Sequence, residues 1–180
     1  MKRFLTVVGI LTVLFPAVCS ASGYITANYG IGGGDVDEPS LGIEMGGIFL
    51  SNLHPSGGAF SLGLGVSVAD TDEDPPSGLQ PISGLTYDPL IEYNDGNEQE
   101  IDLVFGAEMI PALFAVAGLG YASQDKVRIG TSLDDNYEVD SDTDRNIAWM
   151  LGTRYVIQGL NIGIGYHSRR GIMAGIGVAF

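Results

Sequence analysis

The chain has 180 residues, 27 of them Gly, and sets 22 acids against 8 Lys and Arg for a formal charge of −14. So much Gly without a Gly-X-Y repeat excludes collagen and an ordinary helical protein, and so few cations exclude a nucleic-acid partner, because phosphate neutralisation needs clustered Lys and Arg. Mean hydropathy is +0.21, yet beyond the first 15 residues no apolar run is long enough to cross a bilayer as a helix.

The chain opens with Met1, Lys2 and Arg3, a positive start, followed by an apolar stretch over 4–15 that Pro16 breaks. Cys19, Ser20 and Ala21 then offer small residues ahead of a cleavage point. This layout predicts a signal peptide over 1–23 and a mature domain over 24–180. Val18 is a poor match for the small residue that a lipoprotein requires before its Cys, so Cys19 belongs to the discarded peptide. The mature chain then has no Cys and no disulfide framework. It carries six cations against 22 acids, −16 over 157 residues.

Eight alternating runs follow: 24–31, 41–49, 60–68, 101–109, 113–121, 149–157, 160–166 and 172–180. A period of two puts one set of side chains on one face, as a strand requires. With their ends included, the runs have the length of tilted membrane-spanning strands. The connections alternate too. Those over 32–40, 70–97 and 124–146 are long and acidic, while 51–57, 110–111 and 158–159 are short. The short 168–171 stands where a long loop is expected. Within 70–97, two apolar stretches around Asp88 and Pro89 form either a hairpin that extends the neighbouring strands or a segment folded over the mouth.

The two faces separate a barrel from a soluble sandwich. One face carries Ile43, Met45, Leu62, Leu64, Leu103, Phe105, Leu119, Leu151, Ile162, Ile164, Ile176 and Val178. The other carries Gly42, Glu44, Ser61, Gly63, Gly65, Asp102, Gly106, Glu108, Gly152, Arg154, Asn161, Gly163 and Gly175. A sandwich would expose Lys, Glu and Thr on its outer face. Small residues suit the interior of an eight-stranded barrel, which is barely wide enough for side chains. The predicted fold is all-β, an eight-stranded antiparallel up-and-down transmembrane β-barrel. Tyr24, Tyr29, Phe49, Phe60, Tyr121, Trp149, Tyr155, Tyr166 and Phe180 are expected in its interfacial girdles.

Charged residues inside such a lumen need partners. Glu108 and Arg154 lie at similar depth on strands one apart, roughly 10 Å between backbones at about 4.8 Å per strand. They are expected to form an ion pair. Glu44 and Asp102, higher up with no inward cation in reach, are expected to be hydrated or to share a proton. These four make the predicted lumen charge network.

Asp140, Asp142 and Asp144 have the spacing of a Ca²⁺ loop. Arg145 and Leu151, however, occupy the positions where an EF-hand needs Gly and Glu. The segment reads as a solvated acidic loop, with these three as candidate contacts to a divalent cation shared with phosphates. No metal site or cofactor is expected, and no phosphate loop, zinc spacing or Ser-His-Asp set appears.

The last strand has apolar residues at alternate positions, Ile176 and Val178 among them, and ends on Phe180. It resembles the C-terminal signature of bacterial outer-membrane proteins. With the signal peptide, the chain resembles small outer-membrane barrels of the OmpA-barrel and OmpX size class, with YfaZ-type barrels as a closer relative. That resemblance implies a monomer in the cell outer membrane, in contact with its lipids and lipopolysaccharide. It also implies a barrel-assembly machinery that reads Phe180, Val178 and Ile176. The function it implies is a structural or surface-interaction role through acidic extracellular loops, not an enzyme. A narrow porin-like channel and a lipid A-modifying enzyme are the alternatives. Lipid A deacylases use a His-x-Ser pair; the nearest match here, His167 with Ser168, is adjacent, so the two side chains face opposite ways on a strand and no catalytic residue is assigned. The other His, His54, falls in a predicted periplasmic turn.

Overall fold

The computed structural model describes residues 22–33, 36, 38–50, 58–71, 75–79, 90–132 and 135–180. Residues 1–21 of the predicted signal peptide, His54, and 72–74 and 80–89 of the long 70–97 connection lie outside these. The described residues form nine strands: β1 (Ser22–Gly30), β2 (Ser40–Leu50), β3 (Ala59–Ala69), β4 (Leu90–Asn94), β5 (Glu98–Ile110), β6 (Leu113–Ser132), β7 (Asp135–Ile157), β8 (Leu160–His167) and β9 (Gly171–Ala179). β1 starts two residues ahead of the expected domain start at 24.

Eight of the strands close a ring in the order β1-β2-β3-β5-β6-β7-β8-β9, with β9 returning to β1. Every pairing between the strands is antiparallel. The seam is fastened at its lower end by reciprocal bonds between Gly23 and Phe180, 2.7 and 2.8 Å. Closure leaves no sheet edge within the ring, the condition for strands in hydrocarbon.

The alternation sorts the side chains as the sequence requires. Leu103, Leu119, Leu151, Ile162, Ile164, Ile176 and Val178 are exposed on the outer wall, while Ser61, Asp102, Arg154 and Asn161 are buried inside. Tyr29, Tyr121, Trp149 and Tyr166 lie on the outer wall toward the upper end, where the long connections are. Phe49, Phe60 and Phe105 stack in a row toward the lower end, with centroids 5.0 and 6.3 Å apart. Tyr24 corrects the girdle assignment. Its neighbour Ile25 faces out, so Tyr24 faces in, and it is 1% exposed.

The described residues of the expected loop, 124–132 and 135–146, are strand. β6 and β7 have 20 and 23 residues, against 8 and 9 in β8 and β9, and run as a paired hairpin from the barrel wall to Ser132 and Asp135. The register skips Val139, a β-bulge. β4 joins this extension by pairing Leu90–Asn94 with 126–130 of β6. Of the two readings of the long connection, its described strand therefore follows the one in which the wall is extended. The acidic run hid the hairpin because cross-strand charge pairs, described below, let alternating acids sit in a strand.

Candidate functional site: the lumen and the projecting sheet

The lumen is filled in three layers. In the lower layer Arg154, on β7, reaches Glu44 on β2, four strands away in either direction around the ring. Its Nη2 lies 2.5 Å from Glu44 Oε1, and both side chains are nearly fully buried. Tyr24 donates its hydroxyl to the same oxygen at 2.5 Å, and the Arg154 guanidinium lies over the Tyr24 ring, 4.4 Å from its centre. Glycine makes the room. A Cβ at Gly46 would stand 2.7 Å from Tyr24 Oη, and one at Gly63 would stand 2.9 Å from Glu44 Oε1. Alongside, Asn161 donates to Thr26 Oγ1 at 2.8 Å.

This pairing replaces the expected Glu108–Arg154 bridge. The register row between those two passes through Phe114, a large buried ring and not a small residue. Glu108 is also committed elsewhere. Its carboxylate accepts the amides of Ala59 and Ala112, both at 2.8 Å, and so caps the tight β5–β6 turn. Glu44 is correspondingly ion-paired, contrary to the expectation of hydration or a shared proton.

The middle layer is apolar, made of Val104, Val116, Met150 and Met173, with Phe114 and Ala59 below them. A cavity of about 30 Å³ beside it touches Thr26, Asn28, Glu44 and Arg154, room for a water molecule or two.

The upper layer sits under the β8–β9 turn. Glu98, Glu100 and Asp102, on alternate positions of β5, line up as inward carboxylates, all buried. The turn lies across the mouth and brings the cations. Arg169 holds Glu98 with both Nε and Nη2. Arg170 places Nη2 2.9 Å from Asp102 Oδ2 and Nε 3.2 Å from Glu100 Oε2. Asp102 is thus paired to a cation, which the sequence reading did not foresee. His167 Nε2 lies 3.0 Å from Glu100 Oε1 and 3.5 Å from Asp102 Oδ1, aligned with neither, so that its proton straddles the two. Its Nδ1 accepts the backbone amides of Arg169 and Arg170, both at 3.3 Å.

The turn is fixed from outside as well. The amide of Gly32 donates to Arg170 O and that of Val36 to Arg169 O. Gly171 has φ +67°, and a Cβ there would collide with the Gly32 backbone, so only Gly fits. The turn at 168–171, short where a long loop is expected, is therefore a cover. The sequence signal was available: a His-x-Arg-Arg group in a protein of few cations, opposite Glu-x-Glu-x-Asp.

Glu100, Asp102 and His167 each bring a ligand atom within 4.8 Å of the others. The donor set does not suit a metal ion. With Nδ1 accepting two amides, the proton of a neutral ring sits on Nε2, the atom that would have to coordinate. Arg170 already holds both carboxylates from the other side. Nor do His167 and Ser168 form a catalytic pair. His167 points into the lumen with no exposure, while Ser168 Oγ accepts the Trp149 amide at 3.1 Å.

Above the barrel, β4, β6 and β7 form a projecting sheet with a mixed-charge face. Lys126 bonds Glu92 at 2.9 Å and lies 3.4 Å from Asp144; Arg128 lies 3.3 Å from Glu92 and 3.8 Å from Asp140. Asp142 stands opposite Lys126 in register. Asp140, Asp142 and Asp144 thus share their cleft with two cations, and their carboxylates are not gathered closely enough to hold one ion.

The hydrogen bonds from Lys126 and Arg128 hold Glu92 below the usual carboxylate range, bonds from Asn146 and Lys126 lower Asp144, and Glu92 raises Lys126. The carboxylate contribution is therefore complete above the ordinary range and lost as pH falls through the lowered values. The lysine contribution is lost only as pH rises through its raised value. We expect the Val127 and Ile129 amides, corrected for intrinsic exchange, to lose protection at pH about 3. They should also lose it in about 1 M salt, where screening acts within ~3 Å. Protection unchanged in both conditions would show that apolar contacts alone hold the sheet.

No family model matches the chain, and no curated protein matches it. Among solved structures, two crystal structures of Ail, the attachment invasion locus protein of Yersinia pestis, are similar. One, in complex with the heparin analogue sucrose octasulfate, is 12% identical with a TM-score of 0.44; the other is 14% identical with a TM-score of 0.39. Each comparison covers 89% of this chain and 97% of Ail. A likeness that distant carries no functional argument. What stands is the architecture in hand: a closed eight-stranded antiparallel barrel with an apolar outer wall, the build of a small outer-membrane β-barrel.

Proposed function

We infer that the protein acts at the cell outer membrane by presenting its projecting β4-β6-β7 sheet and acidic connections to partners outside, on a barrel that does not conduct. The observation that carries this reading is the contrast between the two parts. The lumen is filled by two buried ion layers and an apolar layer, while β6 and β7 run on beyond the barrel. From Tyr121 to Ser132 the hairpin spans roughly 35 Å of strand at about 3.3 Å per residue, and its face carries both signs of charge. In this reading the signal peptide is cleaved ahead of β1, short of the expected boundary at 23, so that Gly23 stays in the seam with Phe180, and the barrel is a monomer among outer-membrane lipids and lipopolysaccharide. Ile176, Val178 and Phe180, all exposed on the outer wall, form the assembly signal. No catalytic role is assigned to the lumen, where the buried acids are bonded to arginines or face His167.

Two measurements test it. In planar bilayers the refolded protein is expected to stay silent; a reproducible open level would favour the narrow channel instead. Expression of the full chain is expected to confer cell–cell aggregation or surface adhesion, and replacing 124–144 with a two-residue turn should leave a heat-modifiable barrel in the membrane and abolish it. Equal adhesion by the shortened barrel would overturn the surface role.

A further inference from the structure

The upper layer has a property that sealing alone does not require. The Nδ1 atom of His167 accepts two consecutive backbone amides, those of Arg169 and Arg170. These belong to the turn that covers the mouth. A neutral imidazole with its proton on Nε2 satisfies this arrangement. An imidazolium does not, since its second proton goes onto Nδ1 and meets two N–H donors head on.

We propose that the β8–β9 turn is a proton-released latch, held over the mouth by neutral His167 and freed when His167 takes up a second proton. The concern is the mouth of the barrel, and the latch stands whether or not the projecting sheet binds a partner. The groups facing the ring are Glu100 and Asp102 from β5, and Arg169 and Arg170 from its own turn. Its register partners Met150 on β7 and Gly171 on β9 carry no titratable group.

The two states differ in what His167 bonds. In the closed state Nδ1 holds the turn and Nε2–H straddles two carboxylates. In the protonated state the imidazolium gains two anions, and the turn loses both amide anchors. The outer fastening, Gly32 and Val36 on the carbonyls of Arg170 and Arg169, and the ion pairs of Arg169 with Glu98 and of Arg170 with Glu100 and Asp102 then hold the turn without its two amide anchors. The protonated state therefore moves the turn backbone and leaves the ring of strands intact. The lower ion layer, four strands across the lumen from β7 to β2, is untouched, so the barrel stays shut while the turn backbone loosens over its mouth.

The test uses the refolded mature protein with arginine labelled on its backbone nitrogens. Spectra are recorded between about pH 8 and pH 5, which brackets the ordinary imidazole range. The Arg169 and Arg170 amides are expected to shift together with one midpoint, while the Arg154 amide, deep in β7, stays fixed. His167→Asn keeps an acceptor oxygen near the Nδ1 position and cannot titrate. In that variant both shifts should disappear, leaving the closed-state positions at every pH. The imidazole nitrogens of the wild type supply a second reading that needs no variant: Nδ1 must pass from unprotonated to protonated at the same midpoint. Amides that stay still in the wild type would overturn the latch. So would amides that titrate equally in His167→Asn, or an Nδ1 that is already protonated at pH 8.

Discussion

Arg154→Ala is expected to cost about 3–5 kcal/mol, the penalty for stripping one partner from a buried pair and leaving the other charge in place. Glu44 would lie in the lumen at 3% exposure, with only the Tyr24 hydroxyl for company. Adding Glu44→Gln should recover part of the loss, because an amide carries no charge to desolvate. The two substitutions are therefore non-additive, the signature of direct contact. Glu108→Gln should show no coupling with Arg154, since Glu108 holds turn amides and not the guanidinium. Urea unfolding in phospholipid vesicles reports the three single substitutions and the two doubles with Arg154→Ala. Trp149, the one tryptophan, sits half-exposed on the outer wall and reads insertion directly. Coupling between Glu108 and Arg154 as large as that between Glu44 and Arg154 would reverse the assignment.

The second large effect lies on the other side of the wall. Ile164 is 63% exposed on β8, between Tyr166 above and Ile162 below on the same outer face, so Ile164→Arg places a charge inside the hydrocarbon. The expected loss is about 2–4 kcal/mol, falling to about 0–1 near the interface. Ile147→Arg supplies the interfacial comparison. Ile147 is even more exposed, at 81%, but pairs with Tyr121 at the upper girdle. A protein in water would tolerate both substitutions alike. Depth dependence is thus the measurement that separates a membrane barrel from a soluble one with the same strands, and equal small effects at the two positions would sink the membrane reading.

Much of this fold is legible as parity. Once Ile43 or Leu103 is assigned outward, every second neighbour follows, because a strand has no other way to place its side chains. What parity does not give is distance across a closed ring. Counting along the wall puts Glu108 near Arg154. Crossing the lumen puts Glu44 nearer, and the register that decides this depends on closure between β1 and β9. The same limit hid the upper layer. Asp102 looked unpaired because its cation, Arg170, comes from a turn on the far side of the ring. The projecting hairpin was hidden for a different reason. Its alternation is written in charge, with Lys126 and Arg128 flanking Val127, and an acidic composition over 134–144 reads as solvated until its cross-strand partners are known. Tyr24 was misplaced because aromatic residues near strand ends suit both faces. Only the exposure of Ile25 beside it decides.

The way the lumen is filled also bears on the order of folding. Glu44 and Arg154 are 110 residues apart in the chain, and Arg169 and Glu98 are 71 apart. Neither contact lies within a hairpin or between adjacent strands: Glu44 and Arg154 are four strands apart, and Arg169 follows β8, three strands from the β5 that carries Glu98. Both need the sheet to curl on itself. An open sheet lying in lipid would therefore carry three unmatched arginines and four unmatched acids on its concave side, a state that hydrocarbon does not tolerate. The intermediates between hairpins and ring are consequently depopulated, and insertion becomes coupled to ring closure in a single cooperative event. A chain that stalls before its last hairpin docks stays in the aqueous compartment, within reach of proteases, and does not enter the membrane half-built.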